Sequence, residues 1–189
     1  LFGVIVALSA IVFGAMAVHL VPVLEATGLA AGLAVSIASL KGFAQVAGRV
    51  WDLVFARHWH ALDVGRISIG LMPLSFAVLM LGGANFASAL AFTLIFGVSN
   101  GLVTIIRGAV PLALFGPKGY GEVLGILATP YLVLAAASPA AFALVVERWG
   151  YGLAEGLLLA AGAASLAGME VLTYWYRHRA HLAAAGQRS

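Results

Sequence analysis

The chain has 189 residues, of which 63% are hydrophobic and only 9% charged, and its mean hydropathy is +1.07. A soluble domain carries about 25% charged residues because its surface must face water, so this composition excludes an ordinary soluble globule and points to a chain solvated by lipid. A net charge of +3 is too small and dispersed for a nucleic-acid surface, and the absence of cysteine excludes a disulfide framework, a thiolate metal site and a cysteine nucleophile.

The sequence opens at Leu1 inside an apolar run, without an initiator Met, and lacks the basic start and small-residue cleavage site of a signal peptide. It is expected to be a piece of a longer protein. Crossing a hydrocarbon core of roughly 30 Å takes about 20 apolar residues in a helix, and six segments qualify. The first runs from Phe2 to Leu24, closed by Pro22 and the turn Glu25-Ala26-Thr27-Gly28. The second runs from Leu29 to Phe55 and the third from Ile67 to Leu81. Gly82-Gly83-Ala84-Asn85 turn the chain into the fourth, from Ala87 to Ala109. Pro111, Gly116, Pro117 and Gly119 mark the following loop, the fifth helix runs from Tyr120 to Val146, and the sixth from Gly152 to Tyr176. The long apolar runs lack the period-two alternation of a membrane barrel. The expected fold class is therefore an all-α membrane domain over 1–189, a bundle of six transmembrane helices ending in a tail over 177–189.

Basic residues set the expected orientation. Arg49, Arg57, Arg66, Arg107, Lys118, Arg177, Arg179 and Arg188 fall on one side of this topology, whereas the other side holds only Arg148. The positive-inside rule then puts both ends of the segment in the cytoplasm. Trp51, Trp59, Trp149, Tyr151, Tyr174, Trp175 and Tyr176 fall at helix boundaries, where interfacial aromatics belong. Gly97 with Gly101, and Gly121 with Gly125, are small-xxx-small pairs suited to close helix packing. Pro130 and Pro139 are expected to bend the fifth helix.

Lys41 carries the most information. It lies roughly 18 Å into the second helix, where an uncompensated charge costs at least about 2.5 kcal/mol. Lys41, Gln45, Gly48 and Asp52 share one helical face. A substrate or ion-coupling role and a structural, carboxylate-paired or snorkelling Lys are the two readings. Thr93, Asn100, Thr104 and Arg107 form a second stripe on the fourth helix, with Asn100 and Thr104 deep enough to contact a ligand or to bond between helices. Arg107 lies at the cytoplasmic end and is expected to serve structure or gating. His19 sits near the outer end of the first helix, as a proton relay or as a hydrogen-bonding group. Glu155 and Glu170 are expected near opposite ends of the last helix, against headgroups or basic side chains.

Gly97-Val98-Ser99-Asn100-Gly101 matches the G-x-S-x-G nucleophile pattern, but inside an apolar helix instead of a strand-to-helix turn. His58, His60 and Asp63 have metal-ligand spacing, with a solvated loop as the plainer reading. No Walker A sequence occurs, and no cofactor or metal is expected.

At Gly48-Arg49-Val50-Trp51-Asp52, followed by Arg57, the sequence resembles the signature loop of the major facilitator superfamily, G-x-x-x-D-R-x-x-R, with Leu53 in place of the usual Arg. The stretch from Asn100 through Arg107 to Gly108, then Gly119-Tyr120-Gly121, and Gly125, Pro130 and Pro139 also resemble bacterial members. The resemblance implies the C-terminal half of a secondary transporter, a 3+3 inverted repeat packed against an N-terminal six-helix half in the bacterial inner membrane. It implies that Asp52 pairs with Arg107 at the cytoplasmic gate and caps the fifth helix near its start at Gly121, that His19 and Asn100 face a central cavity, and that Lys41 receives an anion.

The expected function is alternating-access transport, by symport or antiport, of a small organic solute, with a carboxylate favoured. Lys41, Gln45, Asn100, Thr104 and His19 are the candidate substrate contacts, and Gly48, Asp52 and Arg107 the gating group. The expected partners are membrane lipids, the solute and the other half, not nucleic acid. A broad-specificity drug or metabolite exporter is the alternative. A non-transporting scaffold and an intramembrane serine protease are readings of another class.

Overall fold

The computed structural model describes residues 1–83 and 85–186, and those residues are almost wholly helical. α1 spans Phe2–Ala26 and α2 Ala31–Trp51, with a single π-helical turn over Asp52–Ala56; α3 spans Ala61–Gly82, α4 Phe86–Phe115 and α5 Tyr120–Gly186. Among the described residues, five helices are long and apolar enough to cross a membrane. The turn residues set their ends. The His60 ring accepts from the Leu62 amide to cap α3, and Asn85 accepts from the Ser88 amide to cap α4. Gly83 and Gly116, at φ 76° and 75°, close α3 and α4 with a backbone that side chains resist.

Helix α5 has 67 residues, about 100 Å if straight and too long for one crossing. It is divided at Gly150, where φ 81° and ψ 172° leave the helical region. The contacts of its two arms along α1 show what that break does. In the first arm Leu127 lies beside Gly3, Ser138 beside Gly14 and Phe142 against His19, so the arm runs parallel to α1. In the second, Ser165 bonds at Ile5 and Ser9, and Gly168 meets Ile5, while Ala154 and Leu158 share a small cavity with Ile11 and Ala15. The second arm is therefore antiparallel to α1, and one residue reverses the chain.

Helix α1 packs mainly against the two arms of α5, with about half of its residues buried. Helix α3 pairs antiparallel with α4, where Phe76, Phe92 and Phe96 interlock, and with the second arm, where Gly162 admits Pro73. Lipid provides no hydrophobic drive between helices, so close contact depends on small residues and buried polar bonds. A Cβ on Gly97 would lie 2.8 Å from the Lys41 carbonyl oxygen, and one on Gly48 would lie 2.8 Å from that of Val98. Gly101 likewise abuts the Gln45 carbonyl, so these glycines bring α2 and α4 backbone to backbone. Gly121 and Gly125, the other pair, meet nothing within 4 Å of a built Cβ and face open space.

Several boundaries differ from expectation. Pro111 lies buried inside α4, not in the following loop, and α4 ends six residues beyond Ala109 at Phe115. Proline removes one helical donor and crowds the preceding turn, which α4 accommodates at Pro111, whereas Gly116 with positive φ ends the helix. Helix α3 begins at Ala61, not Ile67, because the His60 cap starts it early. No loop separates the two arms of α5, and the second arm continues past Tyr176 to Gly186, over part of the expected tail. Arg188, counted above, lies outside the described residues.

Candidate functional site

Lys41 stands ten residues into α2, half-buried, about 15 Å from the helix start. Its Nζ lies 5.4 Å from the centroid of the Phe96 ring on α4. No carboxylate among the described residues forms an ion pair with it. The structural reading of a carboxylate-paired lysine is thus not what these residues make. The shared face of α2 splits by depth: Gly48 is buried against Val98, while Gln45 and Asp52 are half-buried like Lys41.

The α4 stripe is not evenly exposed. Thr93 is fully buried and its hydroxyl has no hydrogen-bond partner. Asn100 is half-buried, and Thr104 is exposed with its hydroxyl donating to the Gly101 carbonyl at 2.6 Å. The three residues share a helical face but differ in depth along α4, from the buried Thr93 to the exposed Thr104. Arg107 lies with its guanidinium carbon 3.5 Å from the Tyr131 ring centroid on the first arm of α5. It forms no ion pair with Asp52, which instead opens the π-helical turn at the end of α2. A π turn holds one residue more than an α turn and frequently marks a functional site. Nearby, Trp59 packs edge-on to Trp51 and folds the loop back onto the helix.

The His19 ring donates from Nε2 to the Pro139 carbonyl, 3.0 Å away, and packs on Phe142. This ties α1 to the first arm beside its proline. The hydroxyl of Ser138 donates to the Ala135 carbonyl, the acceptor that Pro139, lacking an N–H, leaves without its helical donor. Ser99, the centre of the nucleophile-like pattern, is fully buried and donates at 2.7 Å to the Ser68 carbonyl. Of His58, His60 and Asp63, His60 caps α3 and Asp63 accepts from Arg177 at 2.6 Å, so two of the three residues are engaged elsewhere; among the described residues no group of three His, Cys, Asp or Glu could hold a metal ion.

The charged network at the start of α3 was not foreseen as a unit. Arg66 pairs with Glu170 at 2.7 Å and lies 3.8 Å from Asp63, joining α3 to the second arm. Glu170 thus meets a basic neighbour, as one of its two readings held. Glu155 differs: it is only 8% exposed on the second arm and forms no ion pair among the described residues.

Contacts place Phe2, Arg66, Arg107, Tyr120 and Arg177 toward one end of the bundle, and Gly83, Asn85 and Arg148 toward the other. Basic side chains therefore gather at one end, as their order along the chain predicts. Comparison with protein-family models, with curated proteins and with solved structures finds no match to this chain.

Proposed function

We propose that this chain is one half of a major facilitator-type secondary transporter, moving a small organic solute, with an organic anion favoured, across a bacterial inner membrane. In this reading the two arms of α5 are the fifth and sixth crossings, and α1–α3 and α4–α5 are the two three-helix units of an inverted repeat. A second six-helix half meets the face on which α2 and the first arm lie, and the halves rock about a midplane site. One observation carries the proposal. Lys41 sits midway along a span, close to an aromatic ring and without an anionic partner among the described residues. A cation at that depth is costly unless a counter-charge arrives, and a substrate anion is such a charge. Gln45 and Asn100 would orient the solute, while Gly48, Asp52 and Arg107 belong to the gating end, the Asp52–Arg107 pair forming in another state of the cycle.

The test is anion uptake by the intact protein in proteoliposomes. Lys41→Gln is expected to lower uptake of the transported anion at least tenfold. Uptake with unchanged KM and rate would remove Lys41 from the site.

A further inference from the structure

A second cation lines a separate cavity. Arg107 borders a space of about 320 Å³ between α1, α4 and the first arm of α5, a volume within the range of small-molecule sites. The Tyr131 ring lies 3.5 Å from the guanidinium carbon and covers one side of the group, a contact that uses none of its N–H donors. Among the described residues no carboxylate pairs with the guanidinium and no acceptor takes a hydrogen bond from it. Thr104, one turn earlier, has already donated its proton to the Gly101 carbonyl, so Arg107 is the one side-chain donor that the wall offers to a ligand. The rest of the wall is apolar, chiefly Phe2, Val6, Leu124 and Leu127.

We infer that this cavity binds a small monocarboxylate with a compact apolar body, its carboxylate held bidentately by Arg107 and its body against the α1 and α5 side chains. A planar fork matches a carboxylate. A dicarboxylate or a polyol would leave a second charge or its hydroxyls unpaired against leucine and phenylalanine. The site is distinct from Lys41. Arg107 stands ten residues beyond Gly97, the glycine on which the Lys41 backbone rests, or about 15 Å along α4. The inference stands without the transport reading, because it concerns binding alone.

The test is calorimetric titration of the intact protein in nanodiscs with benzoate and with benzamide, its neutral counterpart. Saturable benzoate binding is expected, with benzamide at least tenfold weaker. Arg107→Gln should weaken benzoate at least tenfold, Arg107→Lys should recover part of the loss, and Arg148→Gln, at the other end of the bundle, should leave it within twofold. Leu127→Trp, which fills the cavity and spares the cation, should block binding. Equal affinity for benzamide, no saturable benzoate binding, or undiminished binding by a folded Arg107→Gln or Leu127→Trp protein overturns the inference. If Arg107→Gln does not fold, Leu127→Trp and the benzoate–benzamide comparison decide. Anion uptake is read separately with Lys41→Gln, so its failure bears on the transport reading alone, and loss of benzoate binding with uptake intact bears on this site alone.

Discussion

The residues that hold this bundle together are small, and their cost of replacement follows from what they touch. Gly101 lies against the backbone of Gln45 and Gly14 against that of Ala135, where no flexible side chain can give way. Gly101→Leu should therefore separate α2 from α4 at a cost of about 1–3 kcal/mol or more, read as a melting temperature lowered by several degrees. Gly121→Ala, which faces open space, should melt like the parent, and an equal loss in both variants would refute the distinction. His19 makes a more modest contribution. Losing its bond to the Pro139 carbonyl in His19→Leu should cost about 1 kcal/mol and leave anion uptake in place if the ring serves only structure. Much of this scale was legible in the chain: the depth of Lys41 and the Gly97–Gly101 pair follow from counting along a helix. The stack of Arg107 on Tyr131 was not, nor was the bonding of Ser9 with Ser165, since each joins different helices and no spacing rule relates them.

The elements are fixed by their ends more than by their interiors. Every apolar run expected to be helical is helical, but the limits moved wherever a cap or a glycine outweighed a proline. Pro111 remains inside α4 because the chain on both sides keeps helical geometry, whereas Gly116 stops it. The reversal at Gly150 gives the sharpest test. Ser9 and Ser165 have their hydroxyls 3.1 Å apart, so the Ser9→Cys, Ser165→Cys pair should oxidise to an intramolecular disulfide under mild conditions. Failure to cross-link would contradict the antiparallel second arm. Gly150→Ala should also destabilise, by about 1–3 kcal/mol, because its φ and ψ belong to a region open essentially to glycine alone. The sequence pattern located this turn to within a few residues but expected a loop, as a hydropathy profile falls over several residues even where the backbone needs only one.

At the scale of the whole molecule, the gathering of arginines at one end is the feature that composition and order foretold best. It predicts sidedness. In intact cells a membrane-impermeant maleimide should label Asn85→Cys, at the end opposite the arginines, and leave Lys118→Cys untouched until the membrane is opened. Labelling of both from outside, or the reverse pattern, would overturn the orientation. The network of Asp63, Arg66, Glu170 and Arg177 sits at the arginine-rich end and is partly exposed. Such pairs contribute at most about 1 kcal/mol each, so Glu170→Gln should change melting little. What the network supplies is register, tying α3 to the second arm at a fixed height.

That register depends on how little chain lies at Gly150. A longer connection absorbs an added residue as slack. Here an insertion after Gly150 would be transmitted into the second arm, turning it by roughly 100° about its axis and advancing it about 1.5 Å. Ser165 would swing away from Ser9, Gly162 from Pro73 and Glu170 from Arg66 in a single step. The turn therefore behaves like a fixed gear tooth, and a one-residue insertion there should damage the bundle more than several residues added between α2 and α3.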